Sequence, residues 1–493
     1  MRTTVCVALA LLSGIYALPT GLKQRAKANL NADAGSTGTS AVFATPYLPD
    51  NFEAGQNATS VVIPGWEGPT QHSGFFKFVG ERPDASPEIN SFFWYLPALN
   101  GNPDAPVLLW LQGGPGASSL YGMFTEVGSF NIDENGEAYN RSPEANWNQE
   151  YSLLFIDNPV GVGFSFSNDE SAYVTDQIQV GADLHAALLQ FYQLFPDKRD
   201  DGFYVTGESY AGKYIPACAY TIQQRNLVAT SDEEKIPLAG ISIGDGAMSP
   251  PDQFKNYGSL LYYTGMVTSA ERKVFDEYES QIQAHLDADD LVAAFEAFDL
   301  MLNGDFVFPT YYYNVTSMTN YFNFEQGDCG DCAPDYFSDW LVSDATRELI
   351  HVGDLPYFDF NETVEVHLKG DWMRGVADVH SKVNMLVPLM EDESVKVLVY
   401  SGQNDIILGP PLTEQFLDRL PWAGADDYAA TLSTKTPFSV KSMENNPLGG
   451  YYQHVEGYGG FTYAVVRGAG HMVPGDQPER AYELITMLVE GTF

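Results

Sequence analysis

The sequence predicts an α/β protein, with a mostly parallel central sheet flanked by helices and an inserted, mainly helical cap. Short apolar runs rich in β-branched and aromatic residues alternate with helical patterns, as a parallel sheet with crossover helices requires. One run, Phe203-Tyr204-Val205-Thr206, passes directly into Gly207-Glu208-Ser209-Tyr210-Ala211-Gly212, a turn of small residues that opens a helix. Between about Met248 and Pro334 the strand signals stop and charged amphipathic stretches take over.

Taken in chain order, Val5 to Ala17 is an apolar run behind Arg2 and predicts a secretory signal peptide over 1–17. It is too short to span a bilayer, and no later segment is long and apolar enough to do so, so no membrane anchor is expected. Residues 18–45 are polar and almost free of aromatics, either a flexible N-terminus or a short propeptide. Gly74 to Phe78 and Ser91 to Tyr95 read as antiparallel strands leading into the sheet. The main strands are expected at Pro106–Leu111, Ser152–Ile156, Phe203–Thr206, Gly240–Ile243, Val395–Tyr400 and Phe461–Val466. Helices are expected at Asp183–Phe195, after Ser209 through Ile222, and at Pro478–Val489. The cap signals are Ala270–Gln283 and Leu291–Leu302. These divide the chain into a first core segment (46–247), the cap (248–334) and a second core segment (335–493).

The chain has 493 residues and a formal charge of −40, which excludes nucleic acid as a partner because a polyanion would be repelled. The same carboxylates repel one another less when protonated, so the charge suits an acidic compartment, and it suits simple solubility equally. Sequons at Asn57, Asn140, Asn314 and Asn361 fit the secretory route. Of the four cysteines, Cys6 leaves with the signal peptide. Cys329 and Cys332 are expected to form a local disulfide in a polar loop, and Cys218 is a buried thiol. No further ligands stand at zinc spacing, and Gly468-Ala469-Gly470 lacks the third glycine and following helix start of a dinucleotide site, so neither a metal nor an organic cofactor is expected.

The turn around Ser209 has the form of a nucleophile elbow, where small neighbours let a hydroxyl project above the sheet edge. A serine needs a base, and the base needs an acid to orient it. His471 follows the strand Phe461–Val466 through Gly468-Ala469-Gly470, on a loop that can reach the elbow. Asp405 follows the run ending at Gly402 on another such loop. His72, His285 and His351 have no companion motif. The order Ser209, Asp405, His471 is that of α/β-hydrolases. Behind Leu111, Gln112-Gly113-Gly114-Pro115-Gly116 can aim amides at developing negative charge, so Gly114 and Tyr210 are the expected oxyanion donors. That loop lacks the Gly-Lys-Ser/Thr ending of a phosphate cradle.

From about Gly65 to the C-terminus the chain resembles the serine carboxypeptidase family. The motifs are Trp110 to Gly116, Asn158-Pro159-Val160-Gly161-Val162-Gly163-Phe164-Ser165, the elbow, and Gly470-His471-Met472-Val473-Pro474. Within that family it is closest to the vitellogenic carboxypeptidase-like branch, through Gly402-Gln403-Asn404-Asp405-Ile406-Ile407 and Gln477-Pro478. The resemblance implies release of single C-terminal amino acids from peptides and proteins at acidic pH through an acyl-enzyme. It also implies a secreted or vacuolar/lysosomal protein, monomeric or homodimeric. It assigns Gln112, Gly113, Glu126 and Glu208 to the substrate carboxylate, and Met472 to the leaving-residue pocket. Facing a substrate carboxylate, the glutamates would have to keep protons, a physical reason for an acidic optimum. Two departures stand out: Gln112 where many members have asparagine, and Ala117 where many have a disulfide cysteine. The same chemistry on esters or in acyl transfer is the nearest alternative, and a non-catalytic binding or protective protein is the second.

Overall fold

A computed structural model of the chain describes residues 40–493, apart from 328–335, 378–380, 382, 444 and 446. The expected signal peptide, most of the expected N-terminal segment and the Cys329–Cys332 disulfide therefore lie outside the described residues.

The strands are β1 Ser60–Val61, β2 Gln71–Val79, β3 Glu88–Leu96, β4 Val107–Leu111, β5 Phe130–Ile132, β6 Ala138–Asn140 and β7 Ser152–Ile156. They continue as β8 Phe203–Glu208, β9 Leu238–Gly244, β10 Lys396–Gly402, β11 Thr436–Ser439, β12 Leu448–Val455 and β13 Phe461–Val466. Among the described residues, all but β5 and β6 join one eleven-stranded sheet, ordered β1-β2-β3-β7-β4-β8-β9-β10-β13-β12-β11. From β7 to β13 every neighbour runs parallel. On both flanks the pairing is antiparallel. The sheet is thus mixed, with the expected parallel order confined to its centre. There, crossover helices cover both faces, which is why these strands read as unbroken apolar runs.

The side-chain alternation of the strands separates two cores. Val107, Leu109, Leu111, Leu154, Ile156, Phe203, Val205, Val397 and Val399 face one side with the helices Gln177–Leu194 and Ala211–Val228. Leu108, Trp110, Leu153, Phe155, Tyr204, Leu398 and Tyr400 face the other, against Leu484, Ile485 and Leu488 of the helix Pro478–Glu490. Each fully buried side chain of this kind contributes about 1.5–3 kcal/mol. The first helix begins earlier than its apolar pattern suggests, because Asp176 caps it by accepting the Gln179 amide.

Among the described residues, no strand of the main sheet occurs between β9 and β10. The helical segment therefore runs on past 334 through the helices Tyr336–Leu341, Asp344–Leu349 and Glu362–Trp372. Its first long helix, Ser269–Asp287, starts with a capping box between Thr268 and Glu271. Backbone bonds tie the segment to the loop behind β4: Ser118 donates to Asp359 O at 2.9 Å and Asn361 to Gly116 O at 2.9 Å. Ala117, where a disulfide is lacking, pairs with Phe360 in an isolated bridge.

Asp157, at the end of β7, is buried and accepts from Ser118 Oγ at 2.6 Å and the Phe164 amide at 2.9 Å. Burial pushes its carboxyl up to about 7. The unfolded chain loses this proton near pH 4 while the folded chain keeps it, so the stabilisation is complete below that pH and is lost as pH rises through about 7. Urea melts are expected to show a higher midpoint at pH 5 than at pH 8, Asp157 alone supplying up to roughly 3 kcal/mol of the difference.

Candidate active site

The elbow sits where β8 gives way to the helix Ala211–Val228. Ser209 adopts φ +64°, a left-handed conformation that costs a non-glycine residue free energy and that active sites retain to present a side chain. The turn is held by the Ser209 amide donating to Gly244 O at 3.0 Å, while the Ala247 amide donates to Ser209 O at 2.9 Å. Only glycine fits at 207, where a Cβ would lie 2.1 Å from Leu111 O. Ala211, in place of the usual second glycine, is accommodated in the buried first turn.

His471 and Asp405 meet in the buried space beyond β10 and β13. His471 Nδ1 donates to Asp405 Oδ2 at 2.8 Å, and both side chains are buried. This bond fixes the tautomer and leaves Nε2 unprotonated; Nε2 has no hydrogen-bond partner among the described residues. No bond yet joins it to Ser209, a gap common in substrate-free sites. The inserted segment also holds the imidazole. The His471 amide donates to Phe322 O at 2.7 Å, and the Phe322 ring lies 5.0 Å from the imidazole centroid.

The loop after β4 lies directly against the elbow. A Cβ on Gly113 would come within 2.6 Å of both Ser209 Cβ and the Tyr210 amide nitrogen. Gly114 has φ +109°, a conformation that keeps this backbone close to the serine without a side chain in between. The Gly114 and Tyr210 amides, expected as oxyanion donors, therefore belong to two segments that touch at Ser209.

Gln112 extends the site. Trp110 Nε1 donates to its Oε1 at 2.9 Å, which orients the amide so that Nε2 donates to Glu208 Oε1 at 2.8 Å. Glu126, on the helical turn Met123–Val127, is brought beside Glu208, and both carboxyls are buried. Burial pushes both up; the charge of Glu126 raises Glu208 further, so the pair retains a proton. Gly475 lies between Glu126 and Met472, with its Cβ position 3.7 Å from Glu126 Cγ and 3.8 Å from Met472 Cβ. Half-buried Met472 thus borders the glutamate cluster on the side of His471.

Two residues of this region carry no motif. Arg141 lies next to Glu126, with a buried Nη1 that has no partner among the described residues. Asp245 directly follows β9 and is buried against Asp405. The only signal in the chain for Asp245 is a carboxylate closing the apolar run Ile241-Ser242-Ile243-Gly244. His72 and His351 lie elsewhere, bonded to Gln56 O and Ser73 O respectively. Asn57, Asn140 and Asn314 are exposed, whereas Asn361 caps a helix and donates its side-chain amide to Gly161 O at 2.7 Å. Cys218 is a buried free thiol.

Residues 64–491 match the family model for serine carboxypeptidases. A venom serine carboxypeptidase of Apis mellifera is 41% identical over 398 residues, covering 80% of each chain. The vitellogenic carboxypeptidase of Aedes aegypti is 36% identical over 456 residues, covering 92% of this chain and 90% of that one. The human probable serine carboxypeptidase CPVL is 37% identical over 404 residues, covering 82% and 80%. Among solved structures, the prohormone-processing carboxypeptidase Kex1(Δ)p of Saccharomyces cerevisiae superposes with a TM-score of 0.70 at 22% identity, covering 92% of this chain and 96% of that one, and so shares the α/β-hydrolase fold. With an elbow serine, a buried imidazole–carboxylate pair and a family match over most of its length, the chain belongs to the serine carboxypeptidases.

Proposed function

We propose that the protein releases single amino acids from the free C-termini of peptides and proteins at acidic pH. The observation that carries this is the buried cluster of Gln112, Glu126 and Glu208 beside Ser209. A proton-retaining carboxyl pair in a site for peptides is a poor binder of cations but a good donor to a substrate carboxylate. The Gly113 amide and the Gln112 side chain add further donors there, and Met472 borders the departing residue.

In this reading Ser209 Oγ attacks the C-terminal peptide carbonyl as His471 Nε2 takes the hydroxyl proton. The Gly114 and Tyr210 amides stabilise the oxyanion. His471 then protonates the departing amine, the C–N bond breaks, and one amino acid leaves. Water hydrolyses the acyl-enzyme by the reverse proton traffic. Asp405 holds the imidazole and stabilises its charged form. Among the described residues, no helix is long and apolar enough to cross a membrane. The apolar run Val5 to Ala17 behind Arg2 supports residence in the secretory route, secreted or in a vacuolar or lysosomal compartment.

The test is mass-spectrometric analysis of a peptide library digested at about pH 4.5, near the ordinary glutamate value. Stepwise loss of C-terminal residues is the expected result, with no loss from peptides ending in an amide. Internal cleavage, or ester hydrolysis without amino-acid release, overturns the proposal.

A further inference from the structure

Asp245 takes no part in the reaction as written, yet it is buried against the acid of the relay. Its backbone, at φ +40°, is bonded through the Asp245 amide to Tyr400 O at 2.8 Å. Its Oδ1 accepts the Gly402 amide at 2.8 Å, while Oδ2 has no partner among the described donors. Asp405 shows the complementary pattern: Oδ2 accepts from His471 Nδ1, and Oδ1 has no donor. One side-chain atom each from Asp245, Asp405 and His471 lie within 4.8 Å of one another. Two carboxyls in side-chain contact in a dry space cannot both be anions, and the two unpartnered oxygens are satisfied together by one proton between them.

We propose that Asp245 is a positioning residue of the proton relay. Its Oδ2–H donates to Asp405 Oδ1, holding the carboxylate that orients His471, and loss of that proton sets an upper pH limit on activation of Ser209. The proton belongs on Asp245, because Asp405 must remain the acceptor of His471 Nδ1–H. The surroundings agree. Burial, followed by the charge of Asp405, raises the Asp245 carboxyl well above the usual range. The other titratable groups that act on it are Glu208 at the end of β8, Tyr400 on β10, Tyr463 on β13 and Asp476 beyond His471. None of these four carries a positive charge, and His471, the cation-forming member of the cluster, is engaged by Asp405 Oδ2 and not by Asp245. Asp476 is itself occupied by the Gly470 amide and the Asn323 and Gln326 side chains.

This inference rests on the Ser209–His471–Asp405 reading but not on peptide specificity, so the readout is the rate at which a fluorophosphonate labels Ser209 across pH. That reagent needs the relay and carries no carboxylate, which removes the glutamate pair from the measurement. The wild-type rate is expected to rise and then fall at alkaline pH, within the range where far-UV circular dichroism shows the native fold. Asp245→Ala is expected to lower the rate by about 100-fold at neutral pH, the scale of a misplaced catalytic group, with the gap narrowing along the wild type's alkaline fall. Asp245→Asn, whose amide donates at any pH and whose residue type tolerates positive φ, is expected to recover most of that loss and to abolish the alkaline fall. A descending limb unchanged in Asp245→Asn, or Asp245→Ala labelling as fast as the wild type at neutral pH, overturns the proposal. A wild-type rate with no alkaline fall overturns it without any variant. If labelling behaves as expected while the peptide library is left intact, the relay inference stands and the peptidase reading fails.

Discussion

Ser209→Ala is expected to reduce kcat on a blocked dipeptide by about 10⁴-fold or more, with KM almost unchanged. In the proposed reaction Ser209 Oγ is the atom that bonds to the substrate carbonyl, and alanine removes it without altering the turn. The residual rate then comes from the oxyanion donors and from holding the substrate. The φ of +64° at this position is no easier for alanine than for serine, so folding is expected to survive and thermal melts to shift by little. Pre-steady-state kinetics supply the check. The wild type should show a burst of released amino acid analogue followed by slower turnover, and the variant should show neither. A variant retaining a tenth of the wild-type rate would remove Ser209 from the mechanism.

The second large effect belongs to the carboxylate cluster. Glu208→Ala strips Gln112 Nε2 of its acceptor and Glu126 of its proton-sharing partner. For a peptide with a free C-terminus, kcat/KM is expected to fall by about 10³-fold, because a site built around hydrogen bonds discriminates steeply once they are broken. Fluorophosphonate labelling of Ser209, which uses no carboxylate, should persist. The pH dependence has a definite sign. In the proposed reaction the protonated pair binds the substrate anion; burial holds the Glu126 carboxyl up to about 7, so binding is expected to be complete below neutrality and to weaken above it. KM is therefore expected to climb by about tenfold per pH unit above that point, while kcat stays level until the Asp245 proton is lost. A KM flat from pH 5 to 9 would show that the glutamates do not hold the carboxylate.

Much of the sheet was legible along the chain because its central strands are covered on both faces. Leu108 and Leu109 enter opposite cores, yet both must be apolar, so the run carries its own signature. The edge was not legible. β11 contains Pro437 and β12 begins at Leu448-Gly449-Gly450, with Tyr451 to His454 half-buried, so neither alternation nor β-propensity marks them. The helical segment after β9 was visible where its helices are strongly amphipathic. Its continuation through Glu362–Trp372 was not, because short helices between loops carry little periodicity.

The site divides in the same way. Ser209, His471 and Asp405 each stand in a local setting of strand, glycine turn and helix, and local chemistry is what a linear chain displays. Those settings, taken in chain order, sufficed to nominate them. Tertiary structure decided which buried carboxyls stand side by side: Glu126 with Glu208, and Asp245 with Asp405. Such pairs are made by burial and by the path of distant segments, and a side chain's proton depends on what surrounds it in space, which its neighbours in sequence do not specify.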